Sequence, residues 1–99
     1  MNNRTRTFHF YNDPGHEWLK VPMKLCKELN ILDKISNYSY VGGSNLFLEG
    51  DCDAPLLVDA MIKEGIQFKV VKHTTDRMSK IRSYPRFNYA LYKMYHKEG

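Results

Sequence analysis

Residues 51–65, DCDAPLLVDAMIKEG, constrain this chain more than any other stretch. Aspartates that can cap open it, Pro55 falls in the first turn where its missing N–H costs nothing, and Gly65 stands where a left-handed residue ends a helix. Between these limits only Asp59, Lys63 and Glu64 are polar, so the apolar stripe is too broad for a helix lying on the surface. The segment predicts a mostly buried packing helix. A chain of 99 residues has room for one such core, without metal or disulfide staples.

The segments on either side of this helix alternate with the period of a strand. In RTRTFHFY, Phe8 and Phe10 fall on one side and His9 and Tyr11 on the other, and NDPGH then supplies the backbone angles of a reversal into EWLKV. Pro22 suits the start of a short helix over about residues 22–30, with Leu25, Cys26 and Leu29 on one face. YSYVGGSNLFLEG reads as a second hairpin turning at Gly42, Gly43 and Ser44, and IQFKVVKH as a fifth strand with Ile66, Phe68 and Val70 facing one way. The predicted order is β-β-α-β-β-α-β. Without its first strand this is the β-α-β-β-α-β of a ferredoxin-like α+β sandwich, so the expectation is an antiparallel sheet with two helices on one face and an extra N-terminal strand. Residues 1–73 form the compact core in this reading, and residues 74–99 a basic, aromatic C-terminal segment packed partly on it.

The charge divides unevenly along the chain. Residues 1–71 hold eight Lys and Arg against nine Asp and Glu, and residues 72–99 hold seven against two. Within the basic part, SYPRFNYALYKMYHK interleaves tyrosines with cations, and Pro85 keeps Tyr84 extended, so that a surface-running stretch precedes a terminal helix. Phe87, Leu91 and Met94 are expected to dock on the body. A basic stripe of Arg77, Lys80, Arg82 and Arg86, continued by Lys93 and Lys97, is expected to face an anionic partner, with Tyr84, Tyr89 and Tyr92 available to stack on bases. A protein-only reading uses the same helix, laid into a partner's groove through Tyr89, Tyr92 and Tyr95. Trp18, Tyr11, Tyr38 and Tyr40 make a second, weaker candidate as a stacking platform on the sheet face away from the helices.

Enzymatic motifs are weak. Glu49, Asp51 and Asp53 alternate in EGDCDA and are the only basis for a divalent-metal-dependent hydrolase, but Ala54 and Pro55 follow where a calcium loop needs other residues, and capping of the second helix by Asp51 or Asp53 explains them better. His9, His16, His73 and His96 form no HxH or HExxH pair, so a zinc site would have to be assembled from distant strands. Cys52 is a nucleophile only if the helix N-terminus lowers its pKa beside a histidine, and a buried structural thiol is the alternative. No serine lies in a nucleophile elbow, and no cofactor or metal is expected. The two cysteines lack CxxC spacing, the N-terminus has no apolar signal region and no apolar run approaches a membrane span, which together predict a cytoplasmic protein with free thiols and no membrane partner.

FHFYNDPGHEWLKV, KISNYSY, LEGDCDA and IRSYPRF together resemble a group of small proteins found in bacteriophages and related mobile elements, over about residues 8–87. The resemblance carries no activity residue by residue. It implies stoichiometric binding to host nucleic acid or to a host nucleic-acid-processing complex, including defence complexes of the CRISPR type. A basic chain argues against mimicry of DNA and for competition through a basic, aromatic surface.

Overall fold

A computed structural model describes residues 5–96. It is an α+β fold in which five strands form one mixed sheet, in the order β3-β4-β2-β1-β5. β1 (Arg6–Asn12) and β2 (Glu17–Pro22) make the N-terminal hairpin, closed where Asp13 N–H donates to the His16 carbonyl at 2.9 Å. Helix α1 (Met23–Glu28) follows Pro22 directly and buries Leu25 and Cys26. β3 (Tyr40–Gly42) and β4 (Asn45–Glu49) are the second hairpin, and β4 lies antiparallel against β2.

Helix α2 (Ala54–Lys63) has the bounds that Pro55 and Gly65 set: the proline lies in its first turn, and Gly65 takes φ 68° just beyond its end. Leu57 and Met61 are completely buried. From α2 the chain enters β5 (Phe68–Thr74), and here the sheet departs from the antiparallel expectation, because β5 pairs in parallel with β1. The extra N-terminal strand is the reason. β1 occupies the place beside β2 that the last strand of a ferredoxin-like order would take, so the crossover through α2 passes over both and lays β5 on the outer side of β1. Instead of closing the core, β5 is an edge strand, half-buried at Phe68 and exposed from Lys69 to Thr74.

Both helices pack on the sheet face formed by Phe8, Leu19, Val21, Leu46 and Leu48. The opposite face carries Trp18, Tyr40 and Phe47, and the chain after β5 folds back to cover them with Ile81, from a 3-10 turn at Lys80–Ser83. The platform of sheet-face aromatics is therefore largely occupied: Trp18 and Tyr40 are buried, Tyr38 lies exposed outside the strands, and Tyr11 alone stays half-exposed on a strand. Gly42 permits the cover, since a Cβ there would stand 2.8 Å from the Phe47 ring and 3.1 Å from that of Tyr84. No helix among the described residues is long and apolar enough to cross a membrane.

Candidate functional site: a basic groove between two helices

The C-terminal segment behaves as two different structures in succession. Over residues 75–87 it is a strap. Thr75 N–H donates to the Asn12 carbonyl at 3.0 Å, which continues the edge of the sheet for one residue. Asp13, in the β1–β2 turn, then fastens residues 79–82 of the strap. Its buried carboxylate accepts from Ser79 N–H at 2.9 Å and from Arg82 Nε and Nη2 at 2.7 and 2.8 Å, and also holds its own turn through Gly15 and His16 N–H. Such a bidentate, charge-assisted pair stabilises the ionised acid strongly. The Arg82 guanidinium, helped by the three backbone donors, holds the Asp13 carboxyl far below the usual carboxylate range.

This arrangement changes the nature of the predicted phosphate-binding stripe. Arg82 is committed to Asp13 and lies 5.5 Å from the centroid of the Trp18 ring. Tyr84 is half-buried with its ring 5.3 Å from that of Phe47, so one of its faces is taken. Arg86 bridges the strap to β3, donating from Nη1 to the Asn37 carbonyl at 3.0 Å and standing 5.2 Å above the Tyr40 ring. Arg77 and Lys80 remain exposed on the strap. Lys97 lies outside the described residues.

At Phe87 the strap passes round the β3 edge and sinks its ring into the helix-side core, with 2 % of the residue exposed. Asn88 then caps a new helix, α3 (Tyr89–Tyr95), its side chain accepting from Leu91 N–H at 3.1 Å. The face α3 turns inward differs from the expected one. Tyr89 and Tyr92 pack on the core, while Leu91 and Met94 point out, Leu91 being 52 % exposed. The cause is the anchoring of the first turn: with Phe87 buried one residue before the cap, positions 89 and 92 come round to the body, and 91, 94 and 95 follow on the far side.

Between α1 and α3 an open groove results, with a cavity of about 740 Å³ lined by Lys27, Asn30 and Asp33 on one wall and Tyr89, Tyr92, Lys93 and His96 on the other. It continues past Tyr92 and His96 toward Lys24, Met23 and the β3–β4 turn. The rings of Tyr89, Tyr92 and His96 form a ladder along its wall, Tyr92 and His96 stacking at 4.2 Å with 14° between their planes, and Tyr89 and Tyr92 at 6.2 Å. Lys93 Nζ lies 5.6 Å from the Tyr89 centroid. The groove thus gathers three of the predicted residues, Tyr89, Tyr92 and Lys93, adds His96, which the sequence analysis weighed only among the histidines, and brings in Lys24 and Lys27, which the sequence did not single out. The signal for α1 was present as two lysines at i, i+3 beside its buried face, but only the docking of α3 tells which surface they share.

The acidic stretch is structural, though not in the way expected. Asp53 stands at the N-cap position of α2 and makes no capping bond. Its buried carboxylate instead accepts from Ser36 N–H at 3.1 Å, from Ser36 Oγ at 2.7 Å and from Ser39 Oγ, tying the loop before β3 to the start of α2. Glu49 accepts from Asp51 and Cys52 N–H at 2.9 and 2.7 Å and so closes the turn between them. These internal donors occupy the two buried carboxylates, and among the described residues no three His, Cys, Asp or Glu side chains are placed to hold a metal. Cys52 is exposed, not buried, and partial loss of solvent together with the neighbouring carboxylates of Glu49, Asp53 and Asp51 raises its pKa, the opposite of what activates a nucleophile. Burial pushes the Cys26 thiol up to about 12.

No protein-family model, no curated protein and no solved structure matches this chain.

Proposed function

We propose that the protein is a non-catalytic binding module that engages nucleic acid, alone or within a host nucleic-acid-processing complex, through the α1–α3 groove. The observation that carries this reading is a groove lined in successive parts by Lys93 and Lys24, beside the carboxylates of Asp33 and Glu28, with the Tyr89–Tyr92–His96 ladder along its wall. Cations along such a groove follow a phosphate backbone, and the outer ring faces at the two ends of the ladder offer stacking surface that tolerates any base. In the bacteriophage setting that the sequence resemblance implies, such a module acts stoichiometrically, by occupying nucleic acid or a nucleic-acid site of a host defence complex.

The test is binding of a fluorescent single-stranded oligonucleotide by anisotropy across a series of salt concentrations. If about two or three phosphates are neutralised, the log–log slope is about −1.4 to −2, from roughly 0.7 per contact. A chain that binds no oligonucleotide at about 50 mM salt, a condition that favours phosphate contacts, loses this reading. One feature favours a second reading in that event: Leu91, Met94 and Tyr95 form an exposed apolar face on the outer side of α3, suited to a groove on a protein partner, and binding there is insensitive to salt.

A further inference from the structure

The two edges of the sheet are treated differently. At the β3 edge the chain closes its own sheet: Val41 N–H donates to the Pro85 carbonyl and Phe87 N–H to that of Ser39, both at 2.8 Å, around the bridge between Tyr40 and Arg86. At the other edge, β5 runs for seven residues with no strand beside it among the described residues. Arg6 N–H donates to the Gln67 carbonyl and Thr75 N–H to that of Asn12. In a parallel ladder these two bonds fix the alternation, so the odd-numbered residues of β5 bond to β1 and Phe68, Val70, Lys72 and Thr74 turn N–H and C=O outward. Val70 and Val71 are each 40 % exposed. A long edge of this kind is a template for another strand.

We propose that this edge is the interface of a two-fold dimer, in which β5 pairs antiparallel with β5 of a second copy about an axis through Val71. The register is self-complementary. Val71 meets Val71 of the second copy on the open face of the sheet, where Lys69 lies opposite His73. On the helix face Val70 lies along the stem of Lys72, and Phe68 opposite Thr74. No lysine faces a lysine, and about eight backbone hydrogen bonds join the two sheets. The capped β3 edge makes the assembly finite: a chain with two open edges would add copies without limit, whereas one open and one closed edge stops at two. The α1–α3 groove reaches Val41, Gly43 and Ser44 at the far edge, so the dimer carries its two grooves at opposite ends.

Sedimentation equilibrium of the full chain, from about 1 to about 200 µM, a range that brackets micromolar association, tests the interface. The expected result is a dimer that dissociates on dilution, with hydrogen exchange at the Val70 and Lys72 amides slowing as concentration rises while the Val71 amide, already bonded to β1, changes little. Val71→Lys sets two cations face to face at the axis, and Val70→Pro removes an outward N–H. Each is expected to weaken association at least about tenfold while leaving the circular dichroism of the monomer unchanged, because both alter an exposed edge. A monomer at every concentration overturns the proposal, as does a dimer in which the Val70 and Lys72 amides exchange freely; this readout on the unmodified chain decides the matter even if a variant misfolds. Protection of these amides only on addition of an extended acidic peptide assigns the edge to another chain and overturns the second-copy pairing.

Discussion

Residues 75–87 hold four arginines and lysines with one tyrosine, residues 88–96 three tyrosines with one lysine, and the first stretch clamps the fold while the second lines an open groove. The strap has buried partners for its distinctive groups: Asp13 for Arg82, the Trp18–Tyr40–Phe47 face for Ile81, and the helix-side core for Phe87. α3 offers Lys93, Tyr89 and Tyr92 to a groove that nothing among the described residues fills. A basic, aromatic sequence is thus equally a device for clamping a sheet face and a device for gripping an anion. In the strap it is the buried carboxylate of Asp13 that commits Arg82 to the clamp.

The largest expected effect separates the two stretches by stability. Phe87→Ala should cost about 3–5 kcal/mol by urea titration, as deletion of a buried ring does, while Leu91→Ala, four residues on, should change stability by less than about 0.5 kcal/mol. Equal costs would mean that α3 is held as firmly as the strap. Leu57→Ala, at about 2–5 kcal/mol, gives the reference for a core position in α2.

The Asp13 clamp predicts a pH dependence. Its carboxyl is depressed in the folded protein, so the stability it contributes is fully present above the unfolded carboxylate pKa of about 4 and is lost as pH falls below that, toward the lower folded value. Melting temperature measured from pH 7 down to pH 2 should fall in that acid window. Asp13→Asn, which keeps one acceptor but has no proton to gain, should start lower at neutral pH and decline less on acidification. Parallel curves for the two proteins would mean that the clamp does not set the acid response. Smaller still is the effect expected at the Arg86 bridge, where Arg86→Ala loses one bond to the Asn37 carbonyl and a ring contact at an exposed edge; melting should shift less than for Arg82→Ala.

The elements that could be read from sequence are those decided within a few residues. Pro55 and Gly65 delimit α2, and the turns at 13–16 and 43–44 delimit the hairpins, because turn and cap chemistry is local. The parallel placement of β5 was not legible: the strand alternates in the same way whichever neighbour it takes, and only the crossover over β2 and β1 selects one. Nor was the role of Arg82, whose partner Asp13 stands 69 positions away and was visible only as a turn residue. The candidate site was half legible. Tyr89, Tyr92 and Lys93 carried the signal of an interleaved helix, whereas Lys24 and Lys27 acquire meaning only when α3 docks beside α1.

The most direct test of the division is the salt dependence of oligonucleotide binding in two paired variants of equal charge. Lys24→Ala with Lys93→Ala removes two cations that line the groove, and Arg77→Ala with Lys80→Ala removes two exposed cations of the strap. The groove pair is expected to flatten the log–log slope by up to about 1.4, from roughly 0.7 for each lost contact, and the strap pair to leave it within about 0.3 of the unmodified protein. A slope that flattens in the strap pair and survives in the groove pair would contradict the division.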